Sequence, residues 1–194
     1  RHTRPDDLAA TAMQGALDRV EGLDPAKVED VILGCAFPEG EQGLNIARNA
    51  IFLTSLPSTT SGETINRFCA SGLQAIAHGA MSVQSGIADA VLAGGVESMS
   101  SVPMGGNKVS LHPKLVDEKP EVYIGMGHTA ERVAKRFEVS REDQDKFAAW
   151  SHEKALKAIA EGKFEKEIVS VQARLFDGSN LTEKEFKVDE CPRE

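Results

Sequence analysis

"ETINRFCASGLQAIAHGAMSVQSG", residues 63–86, runs from a β-prone segment through a cysteine into an alanine-rich helical stretch. Within and around it, "GETINRF" (62–68) reads as a strand. "SGLQAIAHGAMSVQSG" (71–86) reads as a helix stopped by Gly86, and "ADAVLAGG" (88–95) as the next strand. Upstream, "VEDVILGCAF" (28–37) is a short apolar run rich in β-branched residues, the pattern of a strand buried on both faces. "GLNIARNAIFL" (43–53) returns to helical spacing before Pro57 breaks the chain. In "RPDDLAATAMQGALDRVEG" (4–22), Leu8, Ala12, Ala16 and Val20 recur at helical spacing, with Pro5 and two aspartates at the start and Gly22 at the end. Strands and helices alternating at this rhythm predict an α/β fold: a mostly parallel sheet built by right-handed crossovers and covered by helices.

Beyond Ser100 the texture changes. "SSVPMGGNKVSLHPKLVDEKP" (100–120) has three prolines, two adjacent glycines and no clear period, and reads as loop. Helices are predicted at about 126–138 and 141–161, the second opened by Ser140 with Asp143 three residues on, in the manner of a capping box. Residues 167–190 alternate apolar and polar around a glycine-containing turn, the pattern of a hairpin. The sequence therefore divides into a core layer, 1–100, and a helical-plus-hairpin excursion, 101–194.

The 194 residues suffice for one sizeable core or two small ones. A net charge of −8 repels polyphosphate at long range and excludes nucleic-acid binding as the main task. No apolar run approaches the ~20 residues that cross a bilayer. Three cysteines without CxxC or Cys/His spacing argue against a disulfide scaffold and a zinc site, and for a reducing, cytoplasmic setting. The chain begins at Arg1 and stops at "KVDECPRE" without a closing element, so residues are expected to be missing at both ends, and a targeting segment lost with the first of them would change the localisation.

Cys69 falls where strand gives way to helix. Unpaired N–H groups and the helix dipole at such a point favour thiolate over thiol. The small residues Ala70, Ser71 and Gly72 leave room for a substrate, and the same N–H groups can steady a developing oxyanion. A free cysteine at a strand end is often just core packing, so spacing alone leaves nucleophile and inert thiol both open.

"NRFCASG" (66–72) followed by "AGGVESMS" (93–100) resembles the thiolase family, particularly the degradative 3-ketoacyl-CoA thiolases. "GLNIARNA" (43–50), "MGHTAERVA" (126–134), "SREDQDKFAAWSHEKALKA" (140–158) and "DECPRE" (189–194) resemble thiolase stretches in the same order. The resemblance implies a thiolase-like fold: the N-terminal core half, lacking its first strand, plus most of a loop domain. It implies that Cys69 is the acyl-accepting nucleophile of an acetyl-CoA C-acyltransferase that cleaves 3-ketoacyl-CoA, or condenses in reverse. Coenzyme A and acyl-CoA would be substrates, with no permanently bound cofactor and no metal. A homodimer or homotetramer is implied, with a possible β-oxidation partner subunit.

The family's Asn-Glu motif, Gly-His-Pro motif and second cysteine in a glycine-rich loop do not occur here, so the isolated chain is expected not to turn over. Cys191 lacks that glycine-rich context. Met126 matches a methionine lining the acyl pocket, and Gly125 stands where some thiolases carry histidine. His78 reads as packed, His128 as structural or exposed, His2, His112 and His152 as surface, and Cys35 as inert core. Gly94 and Gly95 end a strand, Glu97 is expected to make buried hydrogen bonds under the site, and Asn66 and Arg67 to lie on a strand pairing across a subunit interface. Three readings stay open: the degradative thiolase, with a biosynthetic acetyl-CoA acetyltransferase close beside it, a decarboxylating ketoacyl synthase, and a non-catalytic associating subunit. The "GGVESMS" context disfavours the synthase.

Overall fold

A computed structural model describes residues 3–176 and 178–193. Its contacts divide the chain into two compact units, Arg1–Val109 with Val169–Phe186, and Ser110–Ile168 with Lys187–Glu194. The hairpin segment thus clusters with the sheet and not with the helical stretch that precedes it.

In the first unit, helix α1 (Pro5–Asp18) opens with proline in its first turn and carries Asp6 and Asp7 at the positive end of its dipole. Its buried residues include Ala9, Ala10, Met13 and Leu17. The stripe read from the sequence is the other one: Ala12 and Ala16 are exposed, Leu8 is half-buried, and Val20 lies beyond the helix. An alanine-rich helix carries two apolar stripes. The one holding Met13 and Leu17 has more area to remove from water and faces the sheet.

Strand β1 (Asp30–Gly34) is central, with β2 (Ser61–Ile65) and β3 (Val91–Gly95) parallel to it on either side. The register pairs Gly34 with both Ile65 and Gly95, so the three strands end level. Val31 and Leu33 pack with Met13, Leu17, Ala47, Ala50 and Ile51, which places α1 and α2 (Ile46–Ile51) on one face of the sheet. Each of the larger buried side chains among them, Val31, Leu33, Met13, Leu17 and Ile51, contributes about 1.5–3 kcal/mol. The opposite face carries α3 (Ser71–Gln84), whose Gly79 approaches Val91 and Ala93. The expected α/β sheet covered on both faces is present, and its strands are all parallel.

Local chemistry sets these helices. Asn45 caps α2 by accepting from the Arg48 N–H at 3.1 Å, while its amide donates to the Gly62 carbonyl at 2.7 Å, tying helix to strand. The Arg48 guanidinium donates to the Ser58 carbonyl at 2.7 Å and to the Thr60 carbonyl.

Strands β4 (Val171–Phe176) and β5 (Leu181–Phe186) pair antiparallel, with Arg174 opposite Glu183. Residue 177 lies outside the described residues; beyond it Gly178 takes φ +102°. The hairpin follows Val169, which packs over Gly15 of α1, and the Arg174 N–H donates to Thr3 Oγ1 at 3.1 Å.

The second unit holds α4 (Pro113–Glu118), a 3₁₀ turn (Pro120–Tyr123), α5 (Met126–Arg136) and α6 (Arg141–Ala160). α4 lies in the stretch read as loop, and the 3₁₀ turn begins at that stretch's last residue, Pro120. Pro113 and Pro120 each occupy the first turn of a helical segment, where a missing N–H costs nothing, so they start helix instead of breaking it. Ser140 caps α6 as expected, accepting from the Asp143 N–H at 3.0 Å and donating to its carboxylate at 2.7 Å.

Gly34 sets the distance between α3 and the sheet. A Cβ there would lie 2.3 Å from the Ser71 carbonyl carbon and 2.6 Å from the Gly72 nitrogen, both backbone atoms that cannot rotate away. Gly34→Ala is expected to lower stability by about 1–3 kcal/mol in denaturant unfolding. Gly127→Ala, on α5 with open space around it, should be neutral or slightly stabilising.

Candidate active site

At the carboxyl ends of the parallel strands, the customary place for a ligand in an open α/β sheet, the chain makes one tight turn. β2 ends at Ile65, so Asn66 and Arg67 leave the strand on which the sequence reading put them and enter this turn. Residues Phe68–Ala70 form a single 3₁₀ turn, and α3 begins at Ser71. Cys69 is the middle residue of that turn and is exposed.

Four hydrogen bonds close the turn. The Phe68 N–H donates to Asn66 Oδ1 at 2.9 Å and the Arg67 N–H to Ser71 Oγ at 2.8 Å. The Ser71 hydroxyl donates to the Phe68 carbonyl at 2.6 Å, and Asn66 Nδ2 donates to the Ala36 carbonyl at 2.8 Å. Phe68 has φ +46°. The Ala70 N–H is given to the Arg67 carbonyl and the Ser71 N–H to the Phe68 carbonyl. The two amides that follow the cysteine are therefore spent inside the turn.

Beneath the turn lies a polar cluster that sequence reasoning found only in part. The Glu97 carboxylate accepts from the Ala36 N–H at 2.6 Å and from the Gln42 amide. Gln42, fully buried, also donates to the Phe37 carbonyl at 2.8 Å and accepts from the Ser98 N–H at 2.9 Å. Glu97 makes the expected bonds but is itself exposed, since it lies past the end of β3. Gln42 carries no pattern between glutamate and glycine, and Ser71, read only as a small residue beside the cysteine, gives no sign in sequence of the hydrogen bonds it makes. Phe37 and Phe68 stand with ring centroids 6.2 Å apart.

Cys35 is 1% exposed, as expected of core. Burial first, and the Glu97 carboxylate second, push its thiol up to about 11. His78 is half-buried on α3, His128 exposed on α5, and His112 exposed; His152, read as surface, is half-buried and accepts from the Arg193 N–H at 3.3 Å. His2 lies outside the described residues. Met126 opens α5 in the second unit and is 68% exposed, and Cys191 is exposed in the same unit. Among the described residues no group of three or more His, Cys, Asp or Glu could hold a metal ion, and no helix is long and apolar enough to cross a membrane.

Two apolar surfaces border the site. α3 buries only Ser71, Ala75 and Gly79, leaving Leu73, Ile76, Met81 and Val83 exposed. On the α1 face, a cleft of about 360 Å³ runs beside β3, lined by Leu8, Ala12 and Ala16 and by residues 92–97.

The family description "Thiolase, N-terminal domain" matches residues 1–194. A 3-ketoacyl-CoA thiolase of Bacillus subtilis is 52% identical over 169 residues, covering 87% of this chain and 43% of that protein. One from Idiomarina loihiensis is 40% identical over 187 residues, covering 95% and 48%. The crystal structure of a Bacillus anthracis acetyl-CoA acetyltransferase superposes with a TM-score of 0.83 at 37% identity, covering 99% of this chain and 50% of that one. The chain spans about half the length of these relatives.

The two thiols should part in their chemistry. Iodoacetamide at pH 8 is expected to alkylate Cys69 and leave Cys35 untouched in the folded chain. A raised folded value also gives a sign for stability: full contribution below the ordinary thiol value of about 8.5, then progressive loss as pH rises towards about 11, because only the unfolded chain releases the Cys35 proton. Over that window the unfolding midpoint should fall less steeply in Cys35→Ala than in the parent.

Proposed function

Since the chain belongs to the thiolase family, whose N-terminal domain spans all of it, we propose that it carries the nucleophile of a thiolytic acyltransferase acting on 3-ketoacyl-CoA. The observation that carries this reading is the exposed Cys69 at the level ends of three parallel strands, on a turn bonded at four points.

In this mechanism the Cys69 thiolate attacks the 3-keto carbon and forms a C–S bond. The bond between carbons two and three breaks, its electron pair passing to carbon two as the enolate of acetyl-CoA, which is protonated and leaves. The acyl group stays on Cys69 as a thioester. A second CoA gives up its thiol proton and attacks the thioester carbonyl, and an acyl-CoA shortened by two carbons departs as the Cys69 thiolate returns. Splitting the transfer in two is the gain of covalent catalysis. CoA is thus substrate, and the chemistry calls for no resident cofactor.

The groups that exchange protons come, on this reading, from a second half of the protein, and the apolar outer face of α3 is where we place that half. The excursion after residue 100 serves as the protein's loop domain, with Met126 as an acyl-pocket residue. A homodimer or homotetramer forms through the free outer edge of β2, and a cytoplasmic setting fits three unpaired thiols. The name of the solved relative gives a second reading, acetyl-CoA acetyltransferase, with the same nucleophile and a preference for the shortest substrate.

The test is steady-state thiolysis by the protein extended to the length of its relatives. Cys69→Ser should lower kcat by at least about 10³-fold. Unchanged kcat contradicts the proposal. Activity confined to acetoacetyl-CoA favours the second reading, and activity on longer 3-ketoacyl chains the first.

A further inference from the structure

Phe68 is one of three non-glycine residues with positive φ among the described residues. Another, Glu138, comes just after the Phe137 C-cap of α5, where helices customarily end in the left-handed region. Phe68 has no such excuse: it stands between a strand and a helix start, and a large side chain at φ +46° is costly unless the surroundings over-determine it.

Two side chains do so. Asn66 accepts from the Phe68 N–H and Ser71 donates to the Phe68 carbonyl, so both polar groups of this residue are gripped from the side. The other end of Asn66 is fixed on the Ala36 carbonyl, and the Ala36 N–H is fixed on Glu97. The grip therefore runs from the turn onto the chain that continues β1, and from there to the chain that continues β3. Phe68 immediately precedes Cys69, so its φ sets the peptide plane entering the cysteine and the direction in which the Cys69 Cα–Cβ bond leaves.

We infer that Asn66, assisted by Ser71, is a positioning residue: it holds Phe68 in the left-handed conformation that aims the Cys69 thiol. The inference rests on Cys69 being the acyl acceptor, yet it can fail separately from that reading. Glycine enters the left-handed region freely, so the account makes a rescue prediction.

The experiment compares the parent, Asn66→Ala, Phe68→Gly and the double variant, all at the length of the relatives. It follows acylation of Cys69 by acetyl-CoA and hydrogen exchange at the Phe68 amide. Asn66→Ala should slow acylation by about tenfold and speed Phe68 exchange by a similar factor. Adding Phe68→Gly should bring acylation back to within about threefold of the parent, and Phe68→Gly alone should acylate near the parent rate.

Acylation of Asn66→Ala at the parent rate overturns the inference, as does a slow variant that Phe68→Gly fails to rescue, which marks Asn66 as structural only. If the parent itself shows no adduct on Cys69, the thiolase reading fails. Exchange then decides the conformational claim, and a Phe68 amide equally protected with and without the Asn66 amide contradicts it.

Discussion

The start of α3 lies against the ends of β1 and β3, and the rest of the site depends on that contact. With hydrogen in place of a side chain at Gly34, the Ser71–Gly72 backbone can rest directly on the sheet. The helix start is then held where three parallel strands finish together, and the turn joining β2 to α3 has few ways to close. Asn66, Ser71 and the left-handed Phe68 are the closure adopted, and Cys69 is the residue it leaves at the surface.

Two cysteines show what such placement does to one functional group. Cys35 follows β1 into the interior, and desolvation together with the nearby Glu97 carboxylate holds it protonated. Cys69 follows β2 to the water-facing end of the sheet at the head of a helix. One thiol serves as packing and the other is available for chemistry, because the three strands end level and only the turn after β2 carries its cysteine outward.

Much of this was legible in the residues. β1 could be read from the run Val31–Leu33, since a strand buried on both faces must be apolar throughout. The α6 cap could be read from Ser140 and Asp143, because capping is local chemistry. The failures share a cause. On α1 the alternatives were two apolar stripes, and only the sheet decides between them. Pro113 and Pro120 looked like breakers, because a proline that begins a helix has the same one-letter code as one that ends it. Asn66, Ser71 and Gln42 act through partners far away in sequence or through a backbone angle, so no spacing rule reaches them. Cys69 as nucleophile is read from the resemblance of "NRFCASG" and "AGGVESMS" to thiolases, whereas the strand-to-helix junction alone leaves an inert thiol open as well.

The claim on which the account stands is that Cys69 accepts the acyl group. Its most direct measurement is to incubate the protein with acetyl-CoA or a 3-ketoacyl-CoA, quench in acid to trap the thioester, and locate the added mass by peptide mass spectrometry. The account predicts an acyl adduct confined to Cys69, with Cys35 and Cys191 unmodified. An adduct on another residue, or none in a protein extended to the length of its relatives, would contradict it.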